Sequence, residues 1–215
     1  MNSDYYGNLI KKIKKLNLRV KESAIFLKRF VKKPRQIGSV TPSSRFLTRA
    51  VMSKIKWDDA SSIAELGAGT GVFTRAIVRN LKPDGKLFVF ELDPTMKNMI
   101  KNEHPDLAVY DDATELHRII CEQGVGRLDY VVSSLPFAVL PPRVSVAVVD
   151  AVNKSLKPGG KFIAYQYSKS MKNHFEKRFE SVKMSFVWRN VPPAFVYECT
   201  KAAEDAEERR TRKDV

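Results

Sequence analysis

The chain has 215 residues, 43% of them hydrophobic and 29% charged, which suits one well-buried soluble domain and leaves too little for two of ordinary size. Its two cysteines, Cys121 and Cys199, lie far apart and its three histidines are scattered, so neither a disulfide framework nor a metal-ligand spacing is expected and a reducing cytoplasmic setting is. No secretory pattern opens the chain and no run nears the ~18 apolar residues of a spanning helix, while a formal net charge of +14 points to an anionic partner.

That charge is concentrated at the start. Residues 1–35 carry eleven Lys/Arg against only Asp4 and Glu22. Over residues 8–33, Leu9, Ile13, Leu16, Val20, Ala24, Leu27 and Val31 recur at steps of four and three, which predicts one long amphipathic helix with lysines and arginines on its other faces. Two readings fit it: a helix packed on the domain with a solvated basic face, or an interfacial helix with its apolar side in the acyl boundary of an anionic membrane. Pro34 ends the helix. A loop of small residues from Ile37 to Ser44 then leads into a short helix over about Ser44 to Lys54, with Ser43 or Ser44 as N-cap.

From Ser61 the pattern alternates between strand and helix. Strands are expected near 62–66, 86–91, 107–110, 128–133 and 160–166. Two further strand-like runs, 183–188 and 194–199, are joined by Arg189-Asn190-Val191-Pro192-Pro193. The fold class is α/β: a Rossmann-like, seven-stranded mixed sheet with helices on both faces and a terminal antiparallel pair. Three segments follow: a basic helix over 1–34, a domain over 35–200, and a charged tail over 201–215 with five basic and five acidic residues.

The first strand runs into Glu65-Leu66-Gly67-Ala68-Gly69-Thr70-Gly71, and the second ends in Glu91. Glycines there let a strand turn sharply into a helix and let backbone approach a ligand, and a carboxylate on the second strand tip can accept from two ribose hydroxyls. A dinucleotide fingerprint would need a third glycine where Val72 stands, and Glu65 would repel a pyrophosphate. An acidic loop suits a cation or an amino group instead. Glu-x-Gly-x-Gly-x-Gly resembles the first motif of class I S-adenosylmethionine-dependent methyltransferases. That resemblance implies a cofactor site of Glu65, Gly67, Ala68, Gly69, Gly71, Glu91 and Leu92. It extends to Asp112 on the adenine amino group beside Ala113, and to Ser134 and Leu135 in the turn that positions the acceptor.

Outside these motifs the chain resembles the bacterial phospholipid N-methyltransferases that methylate phosphatidylethanolamine. The likeness lies in Phe26–Arg45 with its Gly38-Ser39-Val40-Thr41-Pro42-Ser43-Ser44 loop, in Ser133-Ser134-Leu135-Pro136-Phe137, and in Trp188-Arg189-Asn190-Val191-Pro192-Pro193-Ala194. It is also similar to the ribosomal RNA adenine N6-dimethyltransferases. Here, however, Ser134 stands where those enzymes have an Asn that polarises the methylated amine, and no counterpart of their extra C-terminal helical domain is expected. The first resemblance implies N-methylation of a lipid headgroup amine by a protein lying peripherally on the inner face of the cell membrane, with RNA or a small amine as the alternative acceptor and no metal. Candidates for catalysis are Ser134, Tyr165 and Asn190. Candidates for headgroup contact are Ser43, Arg45, Tyr167, Arg189 and Tyr197.

Overall fold

The computed structural model describes residues 44–203. The amphipathic helix expected over 8–33, the boundary at 34/35, Ser43 and most of the charged tail lie outside the described residues. Within them, helix α1 (Arg45–Met52) begins at Ser44, whose hydroxyl accepts from the Leu47 amide. The alternation then runs β1 (Ser62–Leu66), α2 (Val72–Asn80), β2 (Lys86–Phe90), α3 (Pro94–Glu103), β3 (Val109–Tyr110), α4 (Leu116–Glu122), β4 (Leu128–Ser133), α5 (Pro142–Ser155) and β5 (Leu156–Gln166). A short α6 (Lys172–Glu176) precedes the antiparallel β6 (Ser181–Val187) and β7 (Ala194–Thr200).

These strands form a seven-stranded mixed sheet in the order β3-β2-β1-β4-β5-β7-β6, in which only β7 runs against the others, antiparallel to both β5 and β6. The central strands are uninterrupted apolar runs because helices cover both faces. On one face Ile63, Tyr130, Val132, Ile163 and Val196 pack with Leu47 and Val51 of α1 and Phe73 and Ile77 of α2. On the other, Phe162 meets Phe137, Phe175 and Phe179 at ring centroid distances of 6.0, 5.5 and 5.7 Å.

Strand β5 begins earlier than the pattern predicts. The Lys157-Pro158-Gly159-Gly160 stretch reads as a turn, yet Leu156 already pairs with Leu128, and the register slips between Leu128 and Tyr130. A bulge absorbs the turn-forming residues without ending the strand.

The chain order reverses between β1 and β4, and loops leave a crevice there at the carboxyl ends of the strands. Register fixes what borders it. Tyr110, Phe90, Leu66, Ser133 and Ala164 form one row across the sheet. The next residue on each strand is therefore Asp111, Glu91, Gly67, Ser134 and Tyr165. The opposite edge is locked by Asp129, whose Oδ2 accepts from the amides and hydroxyls of Ser61 and Ser62 while Oδ1 accepts from Lys157 Nζ at 2.6 Å.

Burial alone would raise the Asp129 pKa, but Lys157 and the two serines outweigh it and hold the carboxyl below its usual value. A depressed carboxylate contributes stability above the unfolded value of ~3.9 and loses it as pH falls through the folded one. Asp129→Ala is expected to cost about 2–3 kcal/mol at pH 7, with the gap to wild type narrowing at acid pH below the unfolded value of ~3.9. Urea denaturation at the two pH values measures this, and equal midpoints at pH 7 would remove Asp129 from the account.

Candidate active site

The glycine loop and the turn after β4 touch. Gly67 has φ of 76°, which favours glycine, and a Cβ there would lie 3.5 Å from the Leu135 amide nitrogen and 2.9 Å from Leu135 Cδ2, which would have to move aside. Leu135 is held in turn: Ser133 Oγ accepts from its amide, and its carbonyl accepts from Gln166 Nε2 at 2.8 Å. The Ser134 amide donates to the Leu66 carbonyl at 2.9 Å. At Gly69, with φ of 56°, an added Cβ would meet nothing within 4 Å, so the loop tip faces open space. Gly71 follows as the N-cap of α2.

Two carboxylates flank this loop, both almost fully buried. Glu91 is satisfied by backbone: Oε2 accepts from the Gly69 amide at 2.7 Å, and Oε1 accepts from the Asp93 amide at 2.8 Å. Burial raises its pKa, opposed by those two amides. Each oxygen keeps a lone pair for a further donor. Glu65 is 0% exposed. Its Oε2 accepts from Thr74 Oγ1 at 2.7 Å, and its Oε1 is buried with no hydrogen-bond partner. Burial pushes its carboxyl up to about 7 against the Thr74 bond, and the neighbouring Glu91 charge pushes the same way.

Asp112 caps a short 3-10 turn, with Oδ1 accepting from the Thr114 amide and hydroxyl, beside half-buried Ala113. Leu92 and Ala68 line the neighbouring loops, half-buried and buried respectively. Toward the acceptor side stand half-buried Ser134 and the Tyr165 and Tyr167 rings, 5.9 Å apart. Tyr165 also packs on Phe73 of α2 at 5.9 Å. Burial, together with Tyr165, drives the Tyr167 phenol up to about 12, although a hydrogen bond with Asn190 works the other way.

Two of the expected site residues are buried. Tyr197, expected at the headgroup, is 0% exposed; its ring packs on Phe175 at 5.3 Å and its hydroxyl donates to the Ser168 carbonyl. Its position in β7 turns it into the aromatic core. Asn190, expected in catalysis, is 3% exposed, and its amide is already engaged: Oδ1 accepts from Ser44 Oγ at 2.6 Å and Nδ2 donates to the Pro192 carbonyl. It ties the β6–β7 turn to the start of α1.

Arg45 and Arg189 lie close to each other on the outer surface. Their guanidinium carbons sit 4.9 and 5.0 Å from the centre of the same Phe46 ring. Sequence reasoning alone does not single out Phe46, nor Thr74 and Gln166 as supports. A hydroxyl one helical turn after the last loop glycine was the available signal for Thr74.

The family described as tRNA methyltransferase complex GCD14 subunit matches residues 48–166, from α1 to the last residue of β5. An ornithine lipid N-methyltransferase from Singulisphaera acidiphila is 32% identical over 190 residues, which cover 86% of this chain and 99% of that relative. A ribosomal RNA small subunit methyltransferase A from Chlorobium phaeobacteroides is 27% identical over 111 residues, 50% of this chain and 39% of the relative. Among solved structures, a Burkholderia thailandensis 1,6-didemethyltoxoflavin-N1-methyltransferase superposes with a TM-score of 0.64 at 12% identity, covering 85% of this chain and 89% of its own. A Geobacter metallireducens precorrin-6y C5,15-methyltransferase gives 0.59 at 15% identity, covering 76% of this chain and 92% of its own.

Strand order, glycine loop and these matches define the class: the chain belongs to the class I S-adenosylmethionine-dependent methyltransferases, and S-adenosylmethionine is its cofactor. Within that class it shares a family with the Singulisphaera acidiphila ornithine lipid N-methyltransferase, which it parallels over nearly all of that relative's length.

The residues present fit this cofactor. A buried carboxylate oxygen without a partner suits a cationic donor, which a cofactor ammonium would supply, and the Gly69 tip of the loop faces open space. Until a cation arrives, the Glu65 charge is costly. A folded pKa of about 7, above the unfolded ~4.3, means that the carboxyl's contribution is fully present below the unfolded value and is lost as pH rises through the folded one. Cofactor-free Glu65→Gln is therefore expected to melt several degrees above wild type at pH 8 and level with it at pH 4. Scanning fluorimetry at both pH values tests this, and no gain at pH 8 would show that the buried charge carries no penalty.

Proposed function

We propose that the chain transfers a methyl group from S-adenosylmethionine to the primary amine of a membrane-lipid headgroup at an anionic membrane surface. The observation that carries this reading is the 32% identity that spans 99% of the ornithine lipid N-methyltransferase, whereas the match to the ribosomal RNA enzyme spans 39% of that protein. Phosphatidylethanolamine and ornithine lipid both present a primary amine, and the acceptor is one of this chemical kind. No helix among the described residues is long and apolar enough to cross a membrane, so on this reading the enzyme meets its substrate from the surface.

When bound, the cofactor supplies a methyl on a sulfonium, whose transfer leaves a neutral thioether. In our reading Glu65 Oε1 receives the cofactor ammonium, Glu91 takes ribose hydroxyls on its free lone pairs, and Asp112 takes the adenine amino group. Gly67, Ala68, Gly69 and Gly71 supply backbone at close range, with Leu92 and Ala113 beside them. Leu135, seated on the glycine loop, keeps water from the reacting end. An amine must lose its proton before it can attack. Ser134, next to Gly67 and Tyr165 in the row of strand tips, orients that amine with its hydroxyl and passes the proton toward solvent. Tyr167, with its phenol pushed up to about 12, stays protonated at neutral pH and serves as a hydrogen-bond partner rather than a base. Arg45 and Arg189 meet the anionic part of the headgroup.

Two experiments test this. Glu91→Ala is expected to weaken S-adenosylmethionine binding by roughly tenfold to a hundredfold in calorimetry, and near-wild-type affinity would remove Glu91 from the ribose. Radiolabelled methyl transfer should put label into phosphatidylethanolamine or ornithine lipid presented in anionic vesicles. Label in ribosomal RNA alone would replace the lipid reading with a nucleic-acid one.

A further inference from the structure

The carboxyl edge of the sheet carries an apolar face that the methyl-transfer site does not use, beside the two arginines assigned above to the headgroup. Tyr165 and Gln166, the last residues of β5, pair with Val196 and Phe195, and Phe195 pairs with Phe186. The end of the β6–β7 hairpin therefore rises beside the strand tips that form the site. Its side chains are not those of an ordinary solvated turn: Phe186 is 55% exposed, Trp188 68% and Val191 78%. The Phe186 and Phe195 rings lie 4.9 Å apart and make one aromatic face with Trp188 beyond it.

Cations rim this face. Arg189 lies 5.2 Å from the Trp188 ring, Lys169 Nζ lies 5.4 Å from Phe195, and Arg45 shares Phe46 with Arg189. None of Arg45, Lys169 and Arg189 forms an ion pair among the described residues, whereas Arg75, Arg118 and Arg178 do. Residues 44–56, 167–173 and 184–197 contain no aspartate or glutamate. An exposed apolar cluster ringed by uncompensated cations is suited neither to bulk water nor to a second copy of itself, since self-association would press arginine against arginine. It suits an interface that is apolar inside and anionic at its rim, where tryptophan and arginine both sit favourably.

We propose that the β6–β7 hairpin is the membrane-docking element of this enzyme: Phe186, Trp188 and Val191 enter the interfacial layer of an anionic bilayer while Arg45, Lys169 and Arg189 meet its headgroups. This rests on the lipid reading above for its purpose but not for its observations. The hairpin is rigid enough for the task. Buried Asn190 fastens the turn to Pro192 and to Ser44 at the start of α1, so that docking the turn fixes the strand tips against the surface. The site then faces the headgroup layer with no need for a lipid to leave the bilayer entirely.

The chain has two tryptophans, so Trp57→Phe leaves Trp188 as the single reporter. With phosphatidylglycerol–phosphatidylcholine vesicles carrying brominated acyl chains, Trp188 fluorescence should be quenched, and less so as salt rises. In the otherwise unchanged chain, Phe186→Ser combined with Trp188→Ser and Val191→Ser should lower vesicle partitioning and methylation of vesicle-borne amine by about tenfold or more. Transfer to a short-chain lipid amine below its critical micelle concentration should stay within about twofold. Quenching without any lipid methylation would retire the lipid-substrate reading and leave the docking face standing. Unquenched Trp188 would overturn the docking face, whether the protein then stays in solution, sediments with vesicles through another segment, or responds to an RNA oligonucleotide instead.

Discussion

Everything in this site depends on one close approach, that of Leu135 to the Cα of Gly67. The sheet reverses its order between β1 and β4, so the loops after these neighbouring strands leave side by side. Without a Cβ at Gly67 they come into van der Waals contact, and the contact closes the floor of the crevice. Gln166 donates to the Leu135 carbonyl, which links the tip of β5 to the turn after β4. The row of Glu91, Gly67, Ser134 and Tyr165 is then a consequence of register, and little in it depends on the conformation of any single side chain.

Electrostatically the crevice is asymmetric. Two carboxylates are buried within one loop's reach, a costly arrangement in a medium that stabilises charge poorly. Glu91 offsets part of that cost with two backbone amides, though burial still raises its pKa. Glu65 has a single hydroxyl and an empty oxygen. The loop as folded thus leaves one carboxyl oxygen unpaired, and on our reading the positive end of the cofactor fills that place. A phosphate-bearing cofactor would meet the opposite field, and this is the physical reason the loop is not a dinucleotide site even though its backbone path is similar.

The parallel core was legible because its strands are continuous apolar runs closed by glycine or acidic residues, and periodicity reports such strands well. Glu65, Gly67, Glu91 and Ser134 followed, since each stands next to the end of a strand whose end could be read. The acceptor side was less legible, for a reason of distance. Asn190 is held by Ser44 across 146 positions of sequence, and Tyr197 is buried by Phe175 from a helix whose packing no local pattern announces. The expected turn at Lys157–Gly160 was correct in its chemistry but became a bulge, because the partner strand Leu128–Ser133 runs past it. The pairing of Arg45 with Arg189 through Phe46 belongs to the same class: three residues of ordinary sequence context become a feature only when α1 meets the hairpin.

That arginine pair has a consequence for the chemistry when the acceptor is a lipid amine on an anionic surface. Such a surface concentrates protons, so the amine arrives more fully protonated than it would be in bulk water. The row of strand tips contains no strong base: Ser134 is a hydroxyl, and Tyr167 holds its proton to about pH 12. Deprotonation must therefore be favoured by making the ammonium unwelcome rather than by a group that seizes its proton. On our reading the guanidinium groups that meet the headgroup do this, since a like charge disfavours the charged form of an amine, and partial burial against Leu135 and Tyr165 acts in the same direction. Arg45 and Arg189 would then attract the surface on which the substrate resides and, at shorter range, favour the neutral amine that alone can accept the methyl group.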